Sequence, residues 1–129
     1  MKNAFLSIKF HEDCHNKKLI EDICKELEKV DIKVRTIIRD YEKWGQVKFE
    51  PDKLMEITFD EIDKSDMLLV EFSEKGVGLG IEAGYAYSKN KPIIILAKEC
   101  SDISTTIKGI SKKIILYKNI NEISKKINL

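Results

Sequence analysis

Neither sign of charge predominates in this sequence, in which 23 Lys and Arg side chains stand against 22 Asp and Glu for a formal net charge of +1. A nucleic-acid groove calls for a basic excess and a charged partner for an acidic tail, so neither is expected. Cysteine is scarce. Cys14, Cys24 and Cys100 are odd in number, widely spaced and without a metal-ligand pattern, and they read as reduced thiols of a cytosolic protein. No apolar run approaches membrane-spanning length, and the N-terminus lacks the apolar region of a signal peptide. The expectation is a soluble, cytoplasmic chain with no membrane partner. Repeats, linkers and low-complexity tracts are missing too, and 129 residues suit a single domain, 1–129, with a core of its own.

What is present alternates between two periods. Ala4–Ile8 is a short apolar run, followed by a polar connection from Lys9 to Asn16. Between Lys17 and Val30 the residues Leu19, Ile20, Ile23, Cys24 and Leu27 recur at helical spacing. Ile32–Ile38 alternates as a strand does, and Arg39–Glu50 is a polar loop holding Tyr41, Trp44 and Gly45. Pro51 opens a second helix with a stripe of Leu54, Met55, Phe59 and Ile62. Met67–Phe72, Pro92–Ala97 and Ile114–Tyr117 read as buried strands. Ile81–Lys89, Ser101–Ser111 and Asn119–Ile127 hold the remaining helices. Continuous apolar strands alternating with amphipathic helices predict an α/β fold. The expected form is a three-layer, doubly wound, five-stranded parallel sheet, Rossmann- or flavodoxin-like, in the order 2-1-3-4-5. Ligands bind such sheets at the carboxyl ends of the strands, where the strand order reverses.

Of only six glycines, Gly76, Gly78 and Gly80 fall within five residues, between an apolar strand and a helix that carries Glu82 in its first turn. The spacing predicts a sharp turn whose N–H groups face a ligand, with the helix dipole aimed at the same place. Topology puts Lys9, His11 and Glu82 near one crevice. Other residues keep two readings each. Asp66 either holds backbone near the glycines or contacts a ligand, and Gly84 lets helix pack on sheet. Trp44 and Tyr41 stack on a ligand, or Trp44 anchors its loop. Ser104 suits the N-cap of a short helix. His11 and His15 flank Glu12 and Asp13 but match no strong zinc pattern, so a polar surface loop is the reading and no metal is expected.

From Leu54 onward the chain resembles the nucleoside 2-deoxyribosyltransferase superfamily, in particular its 2′-deoxynucleoside 5′-phosphate N-hydrolase branch. The likeness rests on Ser65-Asp66-Met-Leu-Leu-Val-Glu71, Gly76-Val-Gly-Leu-Gly-Ile-Glu82-Ala-Gly84-Tyr-Ala86, Asn90-Lys-Pro92-Ile-Ile-Ile and Ser104-Thr-Thr-Ile-Lys-Gly109, in one colinear order. The resemblance implies cleavage or exchange of the N-glycosidic bond of a deoxynucleoside or its monophosphate. It makes Glu82 the nucleophile that forms a covalent deoxyribosyl intermediate, without a cofactor. Ser7 and Lys9 match a serine and an arginine that hold the 5′-phosphate. Gly76, Gly78 and Gly80 surround the ligand, Trp44 serves the base, and Ser104 reaches the pocket of a neighbouring subunit in a homodimer.

Three positions depart from that pattern. Thr58 stands where the family has an Asp, eight residues before Asp66; Asn3 stands where it has a Tyr, on alignment at Ser7. Gly76 replaces a Ser. These departures motivate the alternative of a non-catalytic nucleotide-binding or signal-sensing module. A third reading, cleavage of a dinucleotide such as NAD, finds no adenosine-side fingerprint. In every reading the partner is a small nucleotide or nucleoside.

Overall fold

The computed structural model describes residues 1–128, so that Leu129, the last residue of the expected domain, lies outside the described part. Five strands, β1 (Lys2–Ile8), β2 (Ile32–Arg35), β3 (Met67–Glu71), β4 (Ile93–Lys98) and β5 (Lys113–Tyr117), form one sheet. All neighbours are parallel and the order is β2-β1-β3-β4-β5. The α/β class and the strand order are those that the apolar patterning predicts.

Helices cover both faces because successive strand residues point to opposite sides. On one face Ala4, Leu6, Leu69, Ile94 and Leu96 pack against Ile20, Ile23, Cys24 and Leu27 of α1 (Lys17–Glu28), and against Ile123 of α6 (Asn121–Lys126). On the other, Phe5, Leu68, Val70, Ile93 and Ile95 meet Ile62 of α3 (Pro51–Lys64), Leu79, Ala83 and Ala86 of α4 (Val77–Ser88), and Ile107 of α5 (Thr105–Ile110). Every residue of β3 is buried, as a central parallel strand requires. Pro51 occupies the first turn of α3, where its missing N–H costs nothing.

Four expectations need correction. The second strand stops at Arg35, and Ile37–Asp40 is a single helical turn, α2. The Asp40 carboxylate accepts the Thr36 N–H at 2.8 Å, and Arg39 Nη2 donates to the Val34 carbonyl at 2.6 Å. These local polar bonds win over the apolar alternation and take Ile37 and Ile38 out of the strand, where they pack at the margins of the two cores. In β5 only Ile115 and Tyr117 face the core, while Ile114 and Leu116 are exposed, because β5 is an edge strand and α5 is short.

The glycine segment is not a turn. Gly76 is the extended residue before α4 (φ −165°), so Gly78 and Gly80 already belong to the helix, four residues before the expected start. Among the described residues only Gly45 combines glycine with positive φ (+92°), and it follows two other left-handed residues, Lys43 and Trp44. Finally, Gly84 does not let helix approach sheet. It is exposed, and a Cβ there would meet nothing.

Candidate active site

The strand order reverses between β1 and β3, and the register pairs Ser7 with Val70 and Ile8 with Glu71, so the two strands end level. Beyond these ends lies a cleft of about 450 Å³. Its floor is Phe5, Leu6 and Ile8. One wall is α3, through Leu54, Met55 and Thr58; the opposite one is the first turn of α4. Ile37, Ile38 and Glu42 close the side beyond β2, and Lys9, Phe10 and His11 form the rim.

Glu82 projects into this cleft from the second turn of α4. Gly78 precedes it by one turn, and a Cβ on Gly78 would stand 3.3 Å from Glu82 Oε2. Glycine here keeps the approach to the carboxylate open. Among the described residues Glu82 makes no salt bridge and no hydrogen bond. Burial pushes its pKa up to about 7, and the nearby Ser7 hydroxyl opposes the shift only weakly, without reaching hydrogen-bond geometry. Ser7 Oγ is itself buried and without a partner, in a position where a buried hydroxyl is ordinarily bonded. The Glu82 carboxyl thus stands without a partner in a mostly apolar cleft, and the Ser7 hydroxyl lies buried beneath the cleft surface, not among the residues that line it.

Three further features supply positive potential and a second acid. Lys9 lines the rim, its ammonium 4.0 Å from Glu74 and about half exposed. No side chain caps α4, so the N–H groups of its first turn stay open at the cleft. Glu42 faces the cleft from the loop beyond α2, and burial raises its carboxyl above the usual range. Nothing in the sequence marked Glu42. It sits in a polar loop, and only the fold of α2 turns it inward.

The other candidates lie elsewhere. Asp66 precedes β3, at the far end of the sheet, where it accepts the Asn3 N–H at 2.8 Å while its own N–H donates to the Asn3 carbonyl. That reciprocal pair fixes the start of β3 beside β1, so Asp66 and Asn3 are both remote from Glu82. Thr58 does line the cleft, but its hydroxyl donates to the Leu54 carbonyl at 2.8 Å. Neither neighbouring acid on α3 replaces it: Asp60 pairs with Lys64 and Glu56 with Lys53, both at the surface. Trp44 packs against the α1-side core beneath the Lys17 ammonium and does not line the cleft. Tyr41 donates to Glu61 on α3 and carries Arg35 over its ring.

Gly80 and Ser104 line a second depression of about 520 Å³ between α4 and α5. It shares Gly76 and Val77 with the first cleft but lies on their opposite side. Within one chain, therefore, Ser104 does not face Glu82.

No protein-family model matches the chain, and no curated protein does. Solved structures do. The CMP N-glycosidase BcmB of Clostridium botulinum superimposes with a TM-score of 0.72 at 26% identity, covering 98% of this chain and 97% of the other. A 2-deoxyribosyltransferase from Bacillus psychrosaccharolyticus gives 0.73 at 13% identity over 95% and 90% of the two chains. A conserved protein from Enterococcus faecalis V583 gives 0.71 at 12% over 98% and 97%. The last two likenesses bear on the fold alone. The sheet order and the near-complete overlap show that this chain shares the fold of the Clostridium botulinum N-glycosidase and the Bacillus deoxyribosyltransferase, with its cleft at the switch point of that fold.

Proposed function

We propose that the protein is a nucleotide N-glycosidase that acts on a nucleoside 5′-monophosphate, with Glu82 as nucleophile. The observation that carries this reading is the partnerless Glu82 carboxyl, half-buried in the cleft and titrating near pH 7. The ionised carboxylate attacks the anomeric carbon as the C–N bond breaks, giving a glycosyl ester. The base leaves with a proton from the Glu42 carboxyl. Water then adds at the anomeric carbon and gives its proton to the Glu42 carboxylate as the C1–O bond to Glu82 breaks, releasing the sugar phosphate and restoring ionised Glu82 and protonated Glu42. The buried Ser7 hydroxyl, Lys9 and the open first turn of α4, including Gly76 and Gly78, hold the phosphate. The CMP activity named for the Clostridium botulinum neighbour makes cytidine nucleotides the first substrates to examine.

Release of free base from a panel of ribo- and deoxyribonucleoside monophosphates tests the reaction. Wild type should release base from at least one member, and Glu82→Ala should lower that rate by about 10³-fold or more, since the covalent route is lost. An equal rate in the variant would end the assignment.

A homodimer completes the site in this reading. Support comes from the exposed face of α4, where Val77 (81% exposed) and Ile81 (49%) alternate with Gly80 and Gly84 beside the Ser104 depression. A small-residue, apolar helix face of this kind lets two copies approach closely, and Ser104 of each would then reach toward the other's cleft.

A second reading, binding without cleavage, is favoured by the Thr58 hydroxyl being tied to Leu54 and by Asn3 lying away from the cleft. It requires a nucleotide that raises Tm and is recovered intact after long incubation. Any turnover excludes it.

A further inference from the structure

We propose that His11, His15 and Glu74 form a binding site for a divalent late-transition metal ion of the zinc class, at the rim of the cleft. The two histidines come from the β1–α1 connection and the glutamate from the β3–α4 connection, so the cluster exists only because β1 and β3 are neighbours. One ligating atom from each residue lies within 4.8 Å of the other two, and the site is empty. His11 Nε2 stands 3.2 Å from Glu74 Oε1 and 3.1 Å from Oε2. Two ligands of a tetrahedral zinc ion with bonds of about 2.0–2.1 Å sit about 3.3 Å apart, so this pair already has the required spacing.

The second imidazole is held in place rather than left to wander. Its ring centroid is 4.0 Å from that of His11. Asp13 Oδ1 lies 2.8 Å from His15 Nδ1 and also accepts the His15 N–H at 3.1 Å. A carboxylate on Nδ1 selects the tautomer with a proton there, leaves Nε2 free to ligate, and is the usual outer partner of a metal-bound histidine. Between the histidines, Cys14 adopts φ +53° and its N–H donates to the His11 carbonyl at 3.0 Å, a tight turn that folds His15 back toward His11.

Two imidazoles and one carboxylate suit zinc or its neighbours and not magnesium or calcium, which take oxygen ligands. Three protein ligands leave a fourth position for water or an anion. The Lys9 ammonium, 4.0 Å from Glu74, opposes a cation there, and the Asp13 carboxylate on His15 favours one. A bound ion would tie together two loops whose residues, Lys9 and Gly76 among them, line the cleft. The proposal does not rest on the glycosidase reading.

The test is zinc binding by untagged, chelator-treated protein, followed by competition with a chromophoric chelator and by the visible absorption of the cobalt(II) form. Wild type should bind one equivalent, and the cobalt form should show the intense bands of a four- or five-coordinate ion. Glu74→Gln and His15→Ala should each weaken binding by more than about 10-fold. Asp13→Asn, which removes only the outer partner, should weaken it by about 10–100-fold. All three side chains are exposed or half-exposed, and circular dichroism checks that each variant folds. Zinc held by cysteine thiols would be indifferent to Glu74→Gln, and that result would overturn the site. So would a wild type that binds no more tightly than the Glu74→Gln, His15→Ala double variant.

Discussion

At the residue scale, the decisive fact is that the Glu82 carboxyl is half-buried without a partner. Its pKa rises from 4.5 to about 7, so the native state holds this proton more tightly than the unfolded chain does. Unfolding therefore releases a proton between those values. Stability is greatest below about pH 4.5 and is lost as the pH rises through 7, by at most about 3 kcal/mol. Glu82→Gln removes the ionisation. Urea unfolding should find the variant close to wild type at pH 4.5 and more stable by about 1–3 kcal/mol at pH 8. A difference that does not change with pH would mean that Glu82 ionises as freely in the folded chain as in water. The same titration governs the proposed reaction, because only ionised Glu82 is a nucleophile. Glu71, by contrast, is a buried acid that is fully served. It accepts from the Tyr117 hydroxyl and from the Ser73 N–H and Oγ, and burial together with Glu71 holds the Tyr117 phenol well above its ordinary range. The two glutamates thus differ in role because Glu71 has partners and Glu82 has none.

At the scale of elements, the short turn α2 closes the side of the cleft that α3 and α4 leave open. Burial pushes the Asp40 carboxyl up, but bonds from Arg39 and the Thr36 N–H outweigh it and hold the carboxyl below its usual range. The ionised Asp40 is therefore the fastening that ends β2 at Arg35 and turns Ile37, Ile38 and Glu42 to the cleft. Asp40→Ala should cost about 1–2 kcal/mol in stability. Because the wall is then loosened, KM or ligand Kd should rise several-fold while the effect on kcat stays smaller. An unchanged KM with a reduced Tm would assign Asp40 to stability alone. The alternation of Ile32–Ile38 could not announce this turn, since hydrophobic period records burial and not the carboxylate that accepts a backbone N–H four residues earlier. A related limit applies at α4. Glycine composition suggested a loop where Gly78 and Gly80 are helical, because packing of Leu79, Ala83 and Ala86 on the sheet overrides the low helix propensity of glycine.

At the scale of the whole molecule, α4 leaves Val77, Ile81 and Tyr87 exposed on its outer face. Ile81→Arg puts a charge on that face; under the proposed dimer, light scattering should find a dimer for wild type at micromolar concentration and a monomer for the variant. Equal masses for the two would remove the Ser104 arrangement. The sequence by itself determined the α/β class, the strand order and the placement of Glu82 at the switch point. Burial of continuous apolar strands and helical stripes is a local pattern, and with right-handed crossovers it leaves few topologies. Only the tertiary structure decided which polar groups share a space. It brought Glu42 and Glu82 into one cleft, set Glu74 against His11 across 63 residues of chain with His15 beside them, and sent Asp66 and Asn3 to the far end of the sheet. The physical reason is that apolar patterns report how deeply a residue is buried, whereas the chemistry of a site depends on distances between side chains, and those exist only once the sheet has set its loops side by side.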